Sequence, residues 1–229
     1  MLISLAWHRA SSDTDDGDVM SQTMLEKLGA GDLVSRISYA EFLAGDYENP
    51  HVEWVDGRMV EMAPISDEHE DVGRFLGAAL RSYVEERGLG VIRGDPFQMK
   101  TASDLPGRAP DLIFISTANL PRLKRTYLKG PADLVVEIIS PESRGRDRGD
   151  KFFEYEKGGV PEYWLIDPER KQAEFYLLDS KRIYKLANLD AKGIFHSKAL
   201  PGVWVDPDWF WRKPLPTLLS VQRKWKLIK

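Results

Sequence analysis

The stretch Asp133-Leu134-Val135-Val136-Glu137-Ile138-Ile139-Ser140 places one carboxylate inside an apolar, largely β-branched run. Short runs of this kind read as central strands covered on both faces, so Glu137 is expected to be buried. A carboxylate there costs several kcal/mol unless something binds its charge. A structural salt bridge to an arginine or a place at an exposed strand end is the plain reading, and a bound cation is the functional one.

Outward from this run, Pro110-Asp111 opens a second one, Leu112-Ile113-Phe114-Ile115. Two acids on consecutive core strands can converge at one edge of a sheet and present hard oxygen ligands to Mg²⁺ or Mn²⁺. Downstream, Asp147 to Lys157 reads as a helix stopped by Gly158-Gly159, which puts Asp147 and Lys151 on one helical face. An exposed i, i+4 ion pair is one account of them. A lysine that orients an attacking water and neutralises charge on a phosphate in the transition state is the other. Arg144, Arg146 and Arg148 precede Lys151 and form a basic cluster beside it.

The flanking sequence frames these strands. Ser38-Tyr39-Ala40-Glu41 is a capping box for a short helix to about Ala44. Asp56-Gly57 joins two strands, 51–55 and 58–62, in a tight hairpin. Val72, Phe75, Leu76, Ala79, Leu80 and Tyr83 recur at helical spacing over 67–87, with Ser66 as cap and Gly88 as stop. Strands are expected at 91–93, 97–100 and 163–166, and a further hairpin at 173–178 and 182–186. The tryptophan-rich part beyond Gly193, with Trp204, Trp209 and Trp211, reads as a capping or dimer surface. The resulting organisation is a mobile, acidic segment over 1–35, in which Met20 or Met24 offers a later start, one domain over 36–212, and a basic tail or helix over 213–229.

Composition narrows the function. The chain of 229 residues contains no cysteine, which excludes disulfides, cysteine–zinc sites and thiol nucleophiles and fits a reducing cytoplasm. Its net charge of -4 argues against coating nucleic acid by charge alone, although an enzyme needs only a local basic cleft. The apolar opening Met1 to Trp7 is too short for a signal-peptide core, and no stretch reaches membrane-spanning length. Phosphate-binding loop, zinc-protease and serine-hydrolase motifs do not occur, and His8, His51, His69 and His196 are too scattered for a local ligand pair.

The motifs together resemble the PD-(D/E)XK restriction-endonuclease-like superfamily and, within it, the Uma2 family of endonucleases. The resemblance is carried by Tyr39-Ala40-Glu41-Phe42-Leu43, His51 to Gly57, Met62-Ala63-Pro64 with His69, Ala109-Pro110-Asp111-Leu112, Leu134 to Pro141, Asp147 with Lys151 and Tyr155, and Gly159 to Pro168. It implies an α/β fold, a mixed central sheet flanked by helices, with added β-hairpins. It also implies Asp111 and Glu137 as metal ligands and Lys151 as catalytic lysine. Glu53 and the backbone carbonyl of Ile139 would be further metal ligands, and His69, Asp147, Arg148 and Tyr155 would contact substrate or support the site. One departure matters: the superfamily places its lysine two residues after the strand glutamate, where this chain has Ile139, so the role passes to Lys151.

The sequence therefore reads as a Mg²⁺- or Mn²⁺-dependent endonuclease acting on DNA, without a membrane and with a homodimer as a natural arrangement for two-strand cleavage. A non-catalytic nucleic-acid-binding or protein-interaction module on the same fold is the rival from a different class. An RNA-directed nuclease is the enzymatic alternative.

Overall fold

The computed structural model describes residues 36–140 and 143–229. The segment 1–35, expected to be mobile, lies outside the described residues, as do Pro141 and the side chain of Arg144.

Ser38 caps α1 (Tyr39–Ala44) through the reciprocal capping box with Glu41. Strands β1 (Val52–Val55) and β2 (Arg58–Glu61) turn on Asp56 and Gly57, both left-handed with φ of 50° and 82°. Ser66 caps α2 (Asp67–Glu86), whose Val72, Leu76, Ala79, Leu80 and Tyr83 form the buried stripe expected from their spacing. There follow β3 (Gly90–Gly94), β4 (Gln98–Lys100), β5 (Gly107–Arg108), β6 (Leu112–Ser116), β7 (Tyr127–Lys129) and β8 (Leu134–Ile138).

The helix expected over 147–157 is two helices, α3 (Arg144–Arg148) and α4 (Asp150–Gly158), broken at Gly149. A Cβ at Gly149 would stand 2.6 Å from the Gly145 carbonyl oxygen, so the break depends on glycine there. Helical spacing was visible in the sequence, but this backbone approach was not. The chain continues through β9 (Glu162–Asp167), β10 (Gln172–Leu178), β11 (Tyr184–Leu186), β12 (Phe195–His196), β13 (Trp204–Val205) and α5 (Leu218–Lys224).

Six strands form the central sheet in the order β11-β10-β9-β8-β6-β3, with β8 and β9 parallel and the other neighbours antiparallel. A five-stranded sheet has the order β2-β1-β5-β4-β7, and β12 pairs with β13 alone. One face of β8 buries Leu134, Val136 and Ile138 against α2 and against Trp209, Phe210, Val221 and Trp225. The tryptophan-rich end thus caps the sheet of its own chain. The other face buries Val135 and Ile139 with Tyr155 of α4, Tyr163 of β9, and Met99 and Leu128 of the second sheet. Strand alternation sends Glu137 to this second face. No helix among the described residues is long and apolar enough to cross a membrane.

Candidate active site

Strands β6 and β8 run antiparallel with Leu112 opposite Val136, so Asp111, one step before β6, stands at the level of Glu137. The Asp111 carboxylate accepts the Ile138 N–H at 2.6 Å and faces His69 Nε2 at 3.1 Å. His69 reaches it from the first turn of α2, where its own N–H is capped by Ser66.

From the opposite side, the break at Gly149 sets α4 so that Lys151 and Tyr155, one helical turn apart, both reach Glu137. Lys151 Nζ donates to Glu137 Oε1 at 3.0 Å, and the Tyr155 hydroxyl donates to the same oxygen at 2.7 Å. Lys151 Nζ also lies 3.2 Å from Glu53 Oε1 and 3.3 Å from Asp147 Oδ1. Lys151 is 2% exposed, so its pair with Asp147 is not the exposed helical pair that the spacing alone allows. The structure therefore brings Glu53, Glu137, Asp147, Lys151 and Tyr155 into direct contact, with Asp111 and His69 at the adjoining strand end.

With this arrangement in view, comparison with known proteins is decisive at the level of family. The model of the Uma2 family, described as "Putative restriction endonuclease", matches residues 39–211. This chain belongs to the Uma2 family. Among solved structures, a "putative nuclease belonging to DUF820" from Anabaena variabilis ATCC 29413 superposes with a TM-score of 0.62 at 15% identity. The match covers 76% of this chain and 97% of that one, and it shows a shared fold. None of the curated proteins matches the chain.

In this Uma2 chain the electrostatics of the site are lopsided. Four carboxylates, Glu53, Asp111, Glu137 and Asp147, act on Lys151, whose ammonium they hold well above the usual lysine range against the opposing effect of burial. Burial, reinforced by Asp147, Asp111 and Glu53, pushes Glu137 well above the ordinary carboxylate range, and Lys151 only partly offsets it. Glu53 is buried as deeply, yet its pKa is lowered, because Lys151 and Arg108 together outweigh burial and the charge of Arg146 adds to them. Burial depresses His69, but the hydrogen bond and charge of Asp111, with Asp147 and Glu70, raise it overall.

Sequence reading missed Arg108 of β5. Its guanidinium binds Glu53 Oε2 at 2.9 Å and clamps Glu154 of α4 in two bonds of 2.7 and 2.6 Å, while the Ala109 N–H takes Glu53 Oε1 at 3.2 Å. An arginine between Gly107 and Ala109 looks like a loop residue, and only the fold shows it 3% exposed. Arg148, expected to support the site, pairs instead with Glu174 of β10 at 2.6 Å. Ile139 follows β8 in the core, with its N–H bonded to the Ile166 carbonyl.

A divalent cation fits the donor chemistry. Among the described residues no three His, Asp or Glu side chains already form a metal cage, since Lys151 Nζ draws oxygens of Glu53, Glu137 and Asp147 toward itself. Among the described residues the two hydrogen bonds to Glu137, from Lys151 and Tyr155, both go to Oε1. Asp147 Oδ1 is a buried oxygen without a hydrogen bond. An excess of hard, partly unsatisfied oxygens is the setting in which Mg²⁺ or Mn²⁺ is held.

Proposed function

We propose that this Uma2 protein is a divalent-metal-dependent endonuclease that hydrolyses phosphodiester bonds of DNA in the cytoplasm. The observation that supports it most directly is the crowding of Glu137 by other acids around a single buried lysine. Asp111 and Glu137, with the carbonyl of Ile139, would hold Mg²⁺ or Mn²⁺, which when bound supplies Lewis-acid polarisation of the phosphate and a more acidic water for in-line attack.

The protein's own groups do the rest. Lys151 is kept protonated by its carboxylate neighbours, so it serves as a fixed positive charge toward a phosphate and not as a general base. Tyr155 and Arg108 keep Glu137 and Glu53 in single orientations, so that Lys151 does not wander between them. His69 fixes one oxygen of Asp111 and the Ile138 N–H fixes the other, which presents that carboxylate in one geometry.

Incubation with supercoiled plasmid and with labelled single- and double-stranded DNA and RNA, in Mg²⁺, Mn²⁺ or chelator, tests the reading. Metal-dependent nicking of plasmid is expected. Cleavage of RNA alone would reassign the substrate. Binding without cleavage under every metal would favour the interaction module.

A further inference from the structure

The basic cluster beside the site contains two arginines whose side chains can be compared, Arg146 and Arg148, and they differ in what they touch. Arg148 is used by the fold: its guanidinium meets Glu174 at 2.6 Å and Gln172 at 3.5 Å. Arg146 has no hydrogen bond or ion pair among the described residues, and its Nε is buried without an acceptor. It directly precedes Asp147, whose carboxylate pairs with Lys151. Its charge also acts on Glu53, which the Lys151 ammonium meets at 3.2 Å.

A buried guanidinium N–H without a partner is costly to leave unmade, and more so than a neutral donor. Among the described residues no acid takes it, although the site has an excess of acids. Glu53, Glu137 and Asp147 are directed at Lys151 and Arg108, and Asp111 at His69 and the Ile138 N–H, which among the described residues leaves Arg146 as a cation still available beside the proposed reaction centre. A planar, permanently charged fork suits one kind of partner above others, a tetrahedral oxyanion with two oxygens to share.

We propose that Arg146 is the phosphate-binding residue of this site, its guanidinium taking non-bridging oxygens of the nucleic-acid strand that the site cuts. This rests on the nuclease reading and deepens it by giving the substrate's backbone a named anchor. Arg146 binds, Lys151 faces the developing charge, and Arg148 belongs to the sheet.

The test compares wild type with Arg146→Gln, Arg146→Lys and, as a control for loss of one exposed charge, Lys185→Met. Affinity for a short fluorescent DNA duplex is measured against KCl concentration in EDTA and in Ca²⁺, alongside melting temperature and cleavage in Mg²⁺. Arg146→Gln is expected to weaken binding about tenfold and to reduce the salt slope by about one. Its melting temperature should hold or rise, because an unpartnered buried donor is gone. Arg146→Lys should keep the salt slope but recover only part of the affinity, since the fork is lost. Lys185→Met should change neither. The proposal falls if Arg146→Gln binds with wild-type affinity and slope. It also falls if that variant melts many degrees lower or fails to fold, which would assign Arg146 to the structure. If wild type cuts DNA and Arg146→Gln cuts equally well, only the Arg146 assignment is lost. If wild type neither binds nor cuts DNA or RNA, the nuclease reading is lost with it.

Discussion

Glu137 and Glu162 lie on the parallel neighbours β8 and β9, each almost wholly buried, at 2% and 1% exposure. Their surroundings differ in kind. Glu162 receives four neutral donors: Trp164 Nε1 at 2.7 Å and Ser197 Oγ at 2.8 Å on one oxygen, and the Lys198 and Ala199 N–H groups, both at 2.8 Å, on the other. Among the described residues Glu137 receives Lys151 and Tyr155, both on one oxygen, and it stands in the field of Glu53, Asp111 and Asp147. Burial alone therefore does not mark a functional acid. An acid whose oxygens are all taken by uncharged donors ties strand to loop. An acid crowded by like charges is held in a state that a cation relieves.

The sharpest way to break this contrast is Glu137→Gln. The amide can still accept from Lys151 and Tyr155 and is neutral, like the protonated acid that burial favours in the metal-free protein, so the metal-free melting temperature should move by less than about 3 °C, about 1 kcal/mol for a domain of this size. Cleavage should fall by at least about a thousandfold, and the rise in melting temperature on adding Mg²⁺ should vanish. A variant that keeps the full metal-induced rise would show that Glu137 is no principal ligand.

Lys151→Met is expected to have the largest effect on stability. Removing a buried ammonium leaves Glu53, Glu137 and Asp147 facing one another, at a cost of about 3–5 kcal/mol. Mg²⁺ should recover part of this loss and should raise the melting temperature more than it does in wild type. A drop of only a degree or two, as an exposed helical pair would give, would contradict the burial seen here.

Glu162→Gln separates the two glutamates from the other side. An amide cannot satisfy four donors, and the loss should be about 2–3 kcal/mol. The Mg²⁺ response and the cleavage rate of the folded protein should remain those of wild type. A changed metal response would mean that the two acids are not independent.

Much of this was legible in the sequence, because it depended on local pattern. The strands read at 111–115 and 134–139 exist within a residue of those bounds as β6 and β8, the capping box at Ser38 exists as read, and a member of the Uma2 family was recognisable from motif order. The oddity of Glu137 was also legible, since an acid in such a run must be explained. What was hidden depended on contacts distant in sequence. Glu162, in Val160-Pro161-Glu162-Tyr163, gives no hint that a loop 35 residues later satisfies it. Arg108 looked like a loop residue, and the pairing of Arg148 with Glu174 needed β10 in place. The break at Gly149 turned on a carbonyl approach that no helical periodicity encodes.

The smallest effects make the finest version of the comparison. Ser197→Ala and Tyr155→Phe each remove one hydroxyl donor from a buried glutamate, and each should cost only about 1 kcal/mol. Stability at one pH therefore cannot tell them apart, but its pH dependence can. Burial raises Glu137 above the ordinary carboxylate range, so in the metal-free protein the folded state holds its proton at pH values where the unfolded chain has lost it. Stability contributed by that protonated state is present below the unfolded pKa and is lost as pH rises toward the raised folded value. The Tyr155 hydroxyl stabilises the ionised form, so Tyr155→Phe should move the folded value further up and extend this loss to higher pH. Mg²⁺ binding needs the ionised form, so the pH at which added Mg²⁺ begins to raise the melting temperature should also move upward in Tyr155→Phe. Ser197→Ala should leave that onset where it is in wild type, because its glutamate takes no part in metal binding. Melting curves over a pH series with Mg²⁺ and with chelator measure both onsets. An upward shift in Ser197→Ala, or none in Tyr155→Phe, would erase the distinction between the two acids.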